Sequence, residues 1–408
     1  MMSRARRLMR DALLRSGVPA AADVRRIVRA AGSPAAREVA VLVAPPGGGN
    51  IGDQAMVEAY IEATDGRVVV VASAPGSIAV PAHFGDRVVL AEAPDLLYGS
   101  GSRRRGALRD FGALLASARS VSVIGADIMD GFYNPRASVM RAVVAEASAR
   151  HGAPTRVLGF SWSDHPHPAA RRRLAGAARA GVALLPRDPV SARRLVADRV
   201  GFSREVADIV FTATASDVGL RERLDLRGRY AVVNISGHLN RGVKLIDDYR
   251  RIVAWLLDRG LEVVLLPHVV TESADDRIPS ALVASHFAER VHLVRETPSP
   301  AEVRGITEDA VVTVTGRMHL AIMSFMFGVP AVTLASQGKV EGLMELMGTP
   351  ELCVRPVPGM ADIVIGLLAD AIAPRSAVRQ AIAAALSTVN ELATENFVGL
   401  VPTKADAR

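Results

Sequence analysis

Cysteine, the residue that builds disulfide scaffolds and most structural zinc sites, is almost absent from the chain. Of its 408 residues only Cys353 is a cysteine, which leaves no partner for an intrachain disulfide and no second thiolate for a zinc site. This scarcity excludes a secreted disulfide framework. It favours a reducing compartment, and we expect a cytoplasmic protein.

Aromatic residues and long apolar runs are also scarce. Phe, Trp and Tyr make up 4% of the chain, too few for obvious base-stacking platforms, so nucleic acid is not an expected partner. The formal charge of +7 comes mostly from arginines spread along the sequence. Apolar runs such as 68–71 are far shorter than the roughly 18 residues of a membrane-spanning helix, and the N-terminus lacks the apolar core of a signal peptide.

Residues 1–37 read as a basic, helical N-terminal arm. Apolar residues such as Leu14, Val24 and Ile27 recur among its arginines at helical intervals. Arginines and helix-spaced leucines suit an anionic membrane surface, so we predict peripheral contact of this arm with the inner face of the cell membrane.

Two series of short β-branched runs alternate with Ala- and Leu-rich helical segments, a pattern typical of α/β proteins with parallel sheets. We predict two Rossmann-like domains, at 38–215 and 228–375, that face across a cleft, with a polar linker at 212–229 and a C-terminal helix and tail at 376–408. Ligands are expected beyond the carboxyl ends of the strands. The predicted strands are 39–44, 68–72, 88–91, 121–124 and 155–160 in the first series and 230–235, 262–267, 291–294, 311–314 and 331–335 in the second.

A glycine-rich segment at 45–53 follows the first predicted strand and precedes a helix. Gly49 and Gly52 permit close backbone approach, and the helix start offers free N–H groups to an anion or a hydroxyl-rich ligand. The segment has neither the dinucleotide fingerprint nor the P-loop ending. The alternative is a tight turn in which Asn50 or Asp53 caps the helix.

A second polar segment, Thr-Gly-Arg-Met-His at 315–319, precedes a nearly all-apolar helix at 320–327. A helix that is apolar on every side must be buried, so Arg317 and His319 lie at the start of a core element and need an anionic partner. That partner is either a core carboxylate or the phosphate or carboxylate of a ligand, near a histidine able to exchange a proton at neutral pH.

Together these segments resemble the polysaccharide pyruvyl transferase family, over roughly residues 40–350. The matching motifs are Gly-Asn-Ile-Gly-Asp at 49–53, Arg-Asp-Pro-Val-Ser at 187–191, Val-Ala-Asp at 206–208, Pro-His at 267–268, Thr-Gly-Arg-Met-His at 315–319, Gly-Val-Pro at 328–330 and Lys-Val at 339–340. One departure concerns the acceptor pocket: the family's glycine-rich turn after the fourth strand is replaced by Gly-Ala-Asp-Ile-Met-Asp-Gly at 125–131.

The resemblance implies a GT-B-like pair of Rossmann domains that moves the enolpyruvyl group of phosphoenolpyruvate onto two hydroxyls of a saccharide, forming a pyruvate ketal in polysaccharide or glycolipid biosynthesis. It implies no redox cofactor, and the sequence shows no clear metal site. A lipid-linked acceptor and the oligomeric state stay open.

On this interpretation Arg187 and Arg317 clamp the donor from opposite domains, and His319 is the general acid that protonates the methylene carbon. His268 orients the donor or deprotonates an acceptor hydroxyl. Asp53 acts on the acceptor side as a base or hydrogen-bond acceptor. The remaining residues expected to bind substrate are Gly49, Asn50, Gly52 and Lys339.

Each assignment has a structural alternative. Arg317 can form an internal salt bridge, His268 can be a hydrogen-bonded structural histidine, and Asp188 can cap a helix. His165 and His167 are proline-flanked and suggest a surface loop more than a metal site. Two other functions use similar residues: a GT-B glycosyltransferase with a sugar-nucleotide donor, and a non-catalytic carbohydrate or phosphometabolite binder.

Overall fold

The computed structural model describes residues 14, 16–33, 36–239, 245–272, 274–335 and 338–400. Its chain divides into two compact units. The first contains Met1–Pro46, Val57–Ile209 and Leu392–Arg408, and the second contains Gly47–Met56 and Val210–Glu391. Relative to the ranges predicted from sequence, the glycine-rich segment therefore joins the second unit, and the end of the C-terminal helix joins the first.

The first unit is built on a six-stranded parallel sheet of order β3-β2-β1-β4-β5-β6. Its strands are β1 (Val39–Val43), β2 (Val68–Ala72), β3 (Val88–Glu92), β4 (Ala118–Ala126), β5 (Thr155–Phe160) and β6 (Ala183–Pro186). Its helices are α1 (Val18–Ala31), α2 (Ile51–Glu62, which begins in the second unit), α3 (Pro94–Leu97), α4 (Gly101–Ala116), α5 (Pro135–Arg150), α6 (Pro168–Arg179) and α7 (Pro189–Ala197).

The second unit repeats the same topology in a sheet of order β12-β11-β10-β7-β8-β9. Its strands are β7 (Tyr230–Val233), β8 (Glu262–Leu265), β9 (His292–Leu293), β10 (Val312–Thr315), β11 (Ala331–Leu334) and β12 (Cys353–Val354). Its helices are α8 (Gly219–Arg223), α9 (Ile246–Leu257), α10 (Arg277–Ala284), α11 (Pro300–Glu308), α12 (Met318–Phe325), α13 (Lys339–Leu346), α14 (Ala361–Ile372) and α15 (Ala377–Thr394, which ends in the first unit).

Short 3₁₀ helices complete the described elements, at Ala82–Arg87, Ile209–Thr212, Ala288–Arg290, Pro350–Leu352 and Glu395–Phe397.

These two sheets confirm the predicted fold class of two Rossmann-like domains. Every strand of the two predicted series is present, because runs such as Val-Val-Val-Val in β2 have the β-branched side chains that suit a sheet covered on both faces. In each sheet the strand order reverses between its first and fourth strands, which are β1 and β4 in one unit and β7 and β10 in the other. Such switch points are where open α/β sheets bind ligands.

Helix α1 is part of the core of the first unit. Val24 and Ile27 are buried and lie in the same apolar cluster as residues of β1, α4 and α5. Asp23 binds Arg26 at 2.9 Å and also contacts Arg104 of α4. The apolar spacing of the arm is thus explained by packing, and membrane contact stays a prediction about its other faces and about residues 1–13, which lie outside the described residues. None of the described helices is long and apolar enough to cross a membrane.

Candidate active site

The second unit gathers polar side chains at the carboxyl ends of its three central strands. Asn234 follows β7, His268 follows β8, and Thr315 ends β10, with all three at most 1% exposed. Their position is the switch point of the sheet, since β7 lies between β8 and β10. Parallel strands bring these residues to one edge although they are far apart in sequence.

Asp276 accepts hydrogen bonds from several residues at this edge of the sheet. It is fully buried, and its Oδ1 and Oδ2 accept hydrogen bonds from Arg317 Nη2 at 2.5 Å and Arg317 Nε at 3.2 Å, which form a two-bonded fork. Asp276 also accepts hydrogen bonds from Asn234 Nδ2 at 3.0 Å and from the backbone N–H groups of Gly237, His268 and Val269. A carboxylate with this many donors is fixed in place.

The Arg317 fork therefore has the internal partner that the sequence left open. Its side chain is 17% exposed, so part of the guanidinium reaches the surface of the site while Nε and Nη2 are occupied by Asp276. Because Asp276 balances the positive charge of Arg317, the guanidinium acts mainly as a positioned hydrogen-bond donor.

His268 is 1% exposed, and neither ring nitrogen has a hydrogen-bond partner among the described residues. Burial lowers the pKa of His268 well below its usual value, and electrostatic interaction with His319 and Arg317 lowers it further. The ring is therefore neutral near pH 7, with one donor and one acceptor nitrogen. Buried polar groups are normally paired, so this ring is unlike the structural histidine that was the alternative.

Helix α12 begins at this edge. Arg317 is its N-cap residue, no side chain caps the helix, and residues 320–325 are buried as the all-apolar sequence predicts. The Arg317 backbone N–H donates to Thr315 Oγ1 at 2.9 Å, which fixes the entry to the helix. His319 lies in the first turn, half-buried, where the helix dipole favours an anion.

The glycine-rich segment packs against these histidines. Asn50 and Val269 form an antiparallel bridge, Val270 N–H donates to the Gly49 carbonyl at 2.8 Å, and Ile51 N–H donates to the His268 carbonyl at 3.1 Å. Gly49 has φ +91°, and a Cβ there would overlap the Val270 carbonyl. These backbone contacts account for the placement of residues 47–56 in the second unit.

Glycine is required at position 52 because the His319 side chain lies close to the backbone there. A Cβ at Gly52 would lie 2.6 Å from Cγ and 2.9 Å from Cβ of His319, and closer still to Nδ1. The backbone of Gly52 is within α2 and has no positive φ. The His319 ring therefore occupies the space that a side chain at position 52 would need.

The other polar residues of this segment have structural contacts. Asn50 Oδ1 accepts a hydrogen bond from Gly52 N–H at 3.1 Å at the start of α2, and Asp53 Oδ2 accepts one from Gly47 N–H at 2.9 Å. Asp53 is 7% exposed. These contacts match the capped-turn alternative, and an acceptor-side role for either residue stays a prediction. Lys339, half-buried, is the first residue of α13 after β11.

Arg187 lies in the first unit at the end of β6 and is 2% exposed. Its Nη1 donates to Asp208 Oδ2 at 2.6 Å and its Nε donates to Ser161 Oγ at 2.9 Å, so its ion-pair partner is Asp208 and not the adjacent Asp188. Asp188 caps α7 by accepting from Ser191 N–H at 2.7 Å, as the structural alternative predicted. This geometry gives Arg187 a buried structural contact, and its donor-clamp role stays a prediction.

The two proline-flanked histidines have different surroundings. The His165 side chain is 90% exposed, and His167 Nδ1 accepts from Ala169 N–H at 3.2 Å as the N-cap of α6. No group of three potential metal ligands occurs within the described ranges.

Two functional positions were not assigned from sequence. These positions are Asp276 and Asn234. The available signal was positional: each is a polar residue soon after a short apolar strand, where open α/β sheets place ligands. Their partners are 41 and 42 residues away along the chain, a separation that sequence spacing does not reveal.

Solved structures with the same fold include a putative UDP-N-acetylglucosamine 2-epimerase from Listeria monocytogenes, with 12% identity, a TM-score of 0.60 and coverage of 91% of this chain and 97% of that one. A UGT transferase from Siraitia grosvenorii in complex with UDP has 14% identity, a TM-score of 0.56 and coverage of 90% and 100%. The UDP-GlcNAc 2-epimerase from Methanocaldococcus jannaschii has 10% identity, a TM-score of 0.54 and coverage of 83% and 93%. At these identities the likeness is one of fold alone.

The family comparison is more specific. The model of the polysaccharide pyruvyl transferase family matches residues 50–338, more than half of the chain, and this range holds Asn50, Asp276, Arg317 and both central histidines. The chain therefore belongs to the polysaccharide pyruvyl transferase family and is a transferase of pyruvyl groups.

Proposed function

We propose that the donor is phosphoenolpyruvate, that it binds at the switch point of the second unit, and that the product is a cyclic pyruvate ketal on a saccharide. The observation that carries this proposal is the buried, neutral His268, which lies beside Arg317 and His319 and whose ring nitrogens have no hydrogen-bond partner among the described residues. A site with unfilled hydrogen-bonding capacity next to a fixed guanidinium suits a small dianionic ligand.

Three groups at this edge of the sheet suit the carboxylate and phosphate of phosphoenolpyruvate. The uncapped N-terminus of α12 offers backbone N–H groups, and the partly exposed Arg317 offers the guanidinium nitrogen not bonded to Asp276. Lys339 begins the helix after the adjacent strand β11 and supplies a further cation at the same sheet edge. Because Asp276 neutralises Arg317, the Lys339 ammonium contributes to the affinity for an anionic donor.

The residues also fit the chemistry of transfer. His319 gives a proton to the methylene carbon of the donor, and the neighbouring carbon becomes an oxocarbenium-like centre that an acceptor hydroxyl attacks. Phosphate then leaves, a second acceptor hydroxyl attacks the same carbon, and the ketal closes. Of the two hydroxyl protons, one restores His319 and the other leaves with phosphate or water. Neutral His268 can orient the donor because it both donates and accepts.

This reaction needs no redox cofactor and no metal in its proton and bond balance. We propose that none is used and that the second substrate is a saccharide hydroxyl pair.

The test is incubation of the protein with phosphoenolpyruvate and a panel of methyl hexopyranosides, nucleotide sugars and lipid-linked sugars. Phosphate release and the mass of each saccharide product are followed. We expect phosphate and a pyruvate ketal to form in equal amounts with at least one acceptor. Transfer of a sugar from a nucleotide sugar, with phosphoenolpyruvate untouched, would overturn the proposal in favour of a glycosyltransferase. Phosphoenolpyruvate binding without turnover on any acceptor would favour a binding protein.

A further inference from the structure

Two consecutive aromatic side chains are held out into solvent on the first unit. Phe132 is 55% and Tyr133 is 51% exposed, and their rings meet edge to face at a centroid distance of 5.2 Å and an angle of 85°. Aromatics make up only 4% of this chain, so an exposed pair is a considerable share of them. Single exposed apolar residues are ordinary, but a contiguous aromatic pair marks a surface that binds something.

The loop that carries this pair is rigidly built. The 4% exposed Asp130 accepts a hydrogen bond from Phe132 N–H at 2.9 Å, and its carbonyl accepts one from His167 N–H at 2.7 Å. Gly131 has φ +83°, and a Cβ there would lie 2.7 Å from Cβ of His167. Asn134 then caps α5 through Ala137 N–H at 3.1 Å. The aromatic rings are therefore presented by a fixed backbone, which lowers the entropy lost on binding.

The position of the loop is that of a ligand site. It follows β4, whose neighbours are β1 and β5, and it leaves the sheet at the switch point between β1 and β4. β4 ends at Ala126, a non-glycine residue with φ +44°, an uncommon conformation for alanine. The loop also includes the segment 125–131, where the resemblance led us to expect a departure that affects the acceptor pocket.

A carboxylate completes the surface. Asp127 is half-buried, and its Oδ2 accepts a hydrogen bond from Tyr133 Oη at 3.2 Å. An aromatic face beside a carboxylate matches a pyranose ring, which has an apolar face of C–H groups and an edge of hydroxyls that donate to carboxylates.

We infer that Phe132, Tyr133 and Asp127 form a subsite that binds a pyranose ring of the saccharide acceptor. The aromatic pair covers the C–H face of the sugar, and Asp127 accepts from its hydroxyls. The identification of the bound sugar as the acceptor substrate rests on the proposed function. Binding of a saccharide at this loop does not depend on which donor is used.

The test uses methyl glucoside, galactoside, mannoside and their N-acetylamino counterparts as probes. Saturation-transfer difference NMR, with irradiation of aromatic protons, reports sugar C–H groups that touch aromatic rings and needs no donor. We expect a signal from at least one probe with the wild-type protein and its loss in the double variant Phe132→Ala/Tyr133→Ala. Val196→Ala, at a position 65% exposed on α7, is the matched control and should keep the signal.

Kinetics with the acceptor that turns over give the second readout. Phe132→Ala should raise the acceptor KM about 10-fold, the scale of one aromatic contact, with the KM for phosphoenolpyruvate and kcat changed less than about 2-fold. Asp127→Asn should raise the acceptor KM as well, while Tyr133→Phe should keep most of the stacking.

The outcomes separate this inference from the proposed function. Normal ketal formation with an unchanged acceptor KM and NMR signal in the double variant would overturn the subsite and leave the proposed function standing. A saccharide signal that depends on the aromatic pair, with no phosphate release from phosphoenolpyruvate by the wild type, would keep the subsite and overturn the proposed function. A dimer in light scattering that the double variant converts to monomer, with sugar binding unchanged, would assign the pair to a second copy of the chain and overturn the subsite.

Discussion

Gly52→Ala is the change that most sharply separates stability from activity in the second unit. Gly52 lies in the first turn of α2 without a positive φ, so alanine is allowed there and would raise helix propensity by up to about 1 kcal/mol. The added methyl, however, would overlap Cγ, Cβ and Nδ1 of His319. Because the overlap includes Cβ, rotation of the ring alone does not relieve it, and the whole side chain must shift.

A displacement of about 1 Å at a catalytic group costs on the order of 100-fold in rate. We therefore expect Gly52→Ala to lower kcat for ketal formation about 100-fold, while the melting temperature changes by only a few degrees and phosphoenolpyruvate binding falls much less than kcat. Phosphate release measures turnover, thermal unfolding measures stability, and calorimetry measures donor binding. The matched control is Gly366→Ala in α14, where a Cβ would meet no atom within 4 Å.

Wild-type turnover in a well-folded Gly52→Ala variant would refute the reasoning, because His319 would then be displaced without consequence for the chemistry. Equal loss of activity in Gly366→Ala would show that the effect is not specific to the contact with His319.

The remaining predictions concern the pH dependence of stability, the Asp276–Arg317 ion pair and helix α1. The unfolding free energy should fall as the pH drops below about 6.5, by up to about 1.4 kcal/mol per pH unit, because the folded-state pKa of His268 is depressed and only the unfolded state takes up that proton. Denaturant titrations at several pH values measure this slope. We expect His268→Gln to reduce it by about one proton and His165→Gln to leave it unchanged. Asp276→Asn should lower the unfolding free energy by about 3 kcal/mol, since it leaves Arg317 without its buried partner. Arg317→Lys should weaken phosphoenolpyruvate binding by about 1.5 to 3 kcal/mol, because lysine has no second nitrogen to donate to the ligand while the first is bound to Asp276. Deletion of residues 1–34 should lower the melting temperature of the protein whatever its effect on membrane binding, because it removes the buried Val24 and Ile27 side chains of α1, which contribute about 1.5 to 3 kcal/mol each. Unchanged melting would contradict the packing described for that helix.

The strands were predictable because burial on both faces selects β-branched runs. Val68–Ala72 and Thr155–Phe160 were predicted to the residue. The missed strands were the edge strands β6 and β12. β6 has the sequence Ala-Leu-Leu-Pro, which lacks β-branched residues and ends in proline, and β12 has only two residues. Their pairing with β5 and β11 is set by the sheet more than by local propensity.

The candidate site was predictable in its residue types but not in its contacts. Sequence placed Arg317 and His319 at the start of a buried helix and stated the need for an anionic partner, yet Asp276 is 41 residues away and reaches Arg317 only through the parallel order of β7, β8 and β10. Likewise, the ion-pair partner of Arg187 is Asp208, which is 21 residues away along the chain, and not the adjacent Asp188. Contacts that depend on strand order cannot be derived from neighbouring residues.

The glycine-rich segment shows the same limit. Its glycines indicated close approach, but the object of the approach was unknown from sequence. The structure shows that Gly49 meets the Val270 carbonyl and Gly52 meets His319. A segment expected on the acceptor side therefore packs against the residues proposed to bind the donor.

The most direct test of the central claim is the reaction in deuterium oxide. If His319 protonates the methylene carbon of phosphoenolpyruvate from a solvent-exchanged proton, the methyl group of the ketal must carry one deuterium, which mass spectrometry and proton NMR detect. We predict one deuterium per ketal formed by the wild type, and a fall in the rate of labelled product of roughly 10²- to 10⁴-fold in His319→Ala, with donor binding largely kept. Ketal formed without deuterium, or labelled ketal formed at the wild-type rate by a folded His319→Ala variant, would contradict the account.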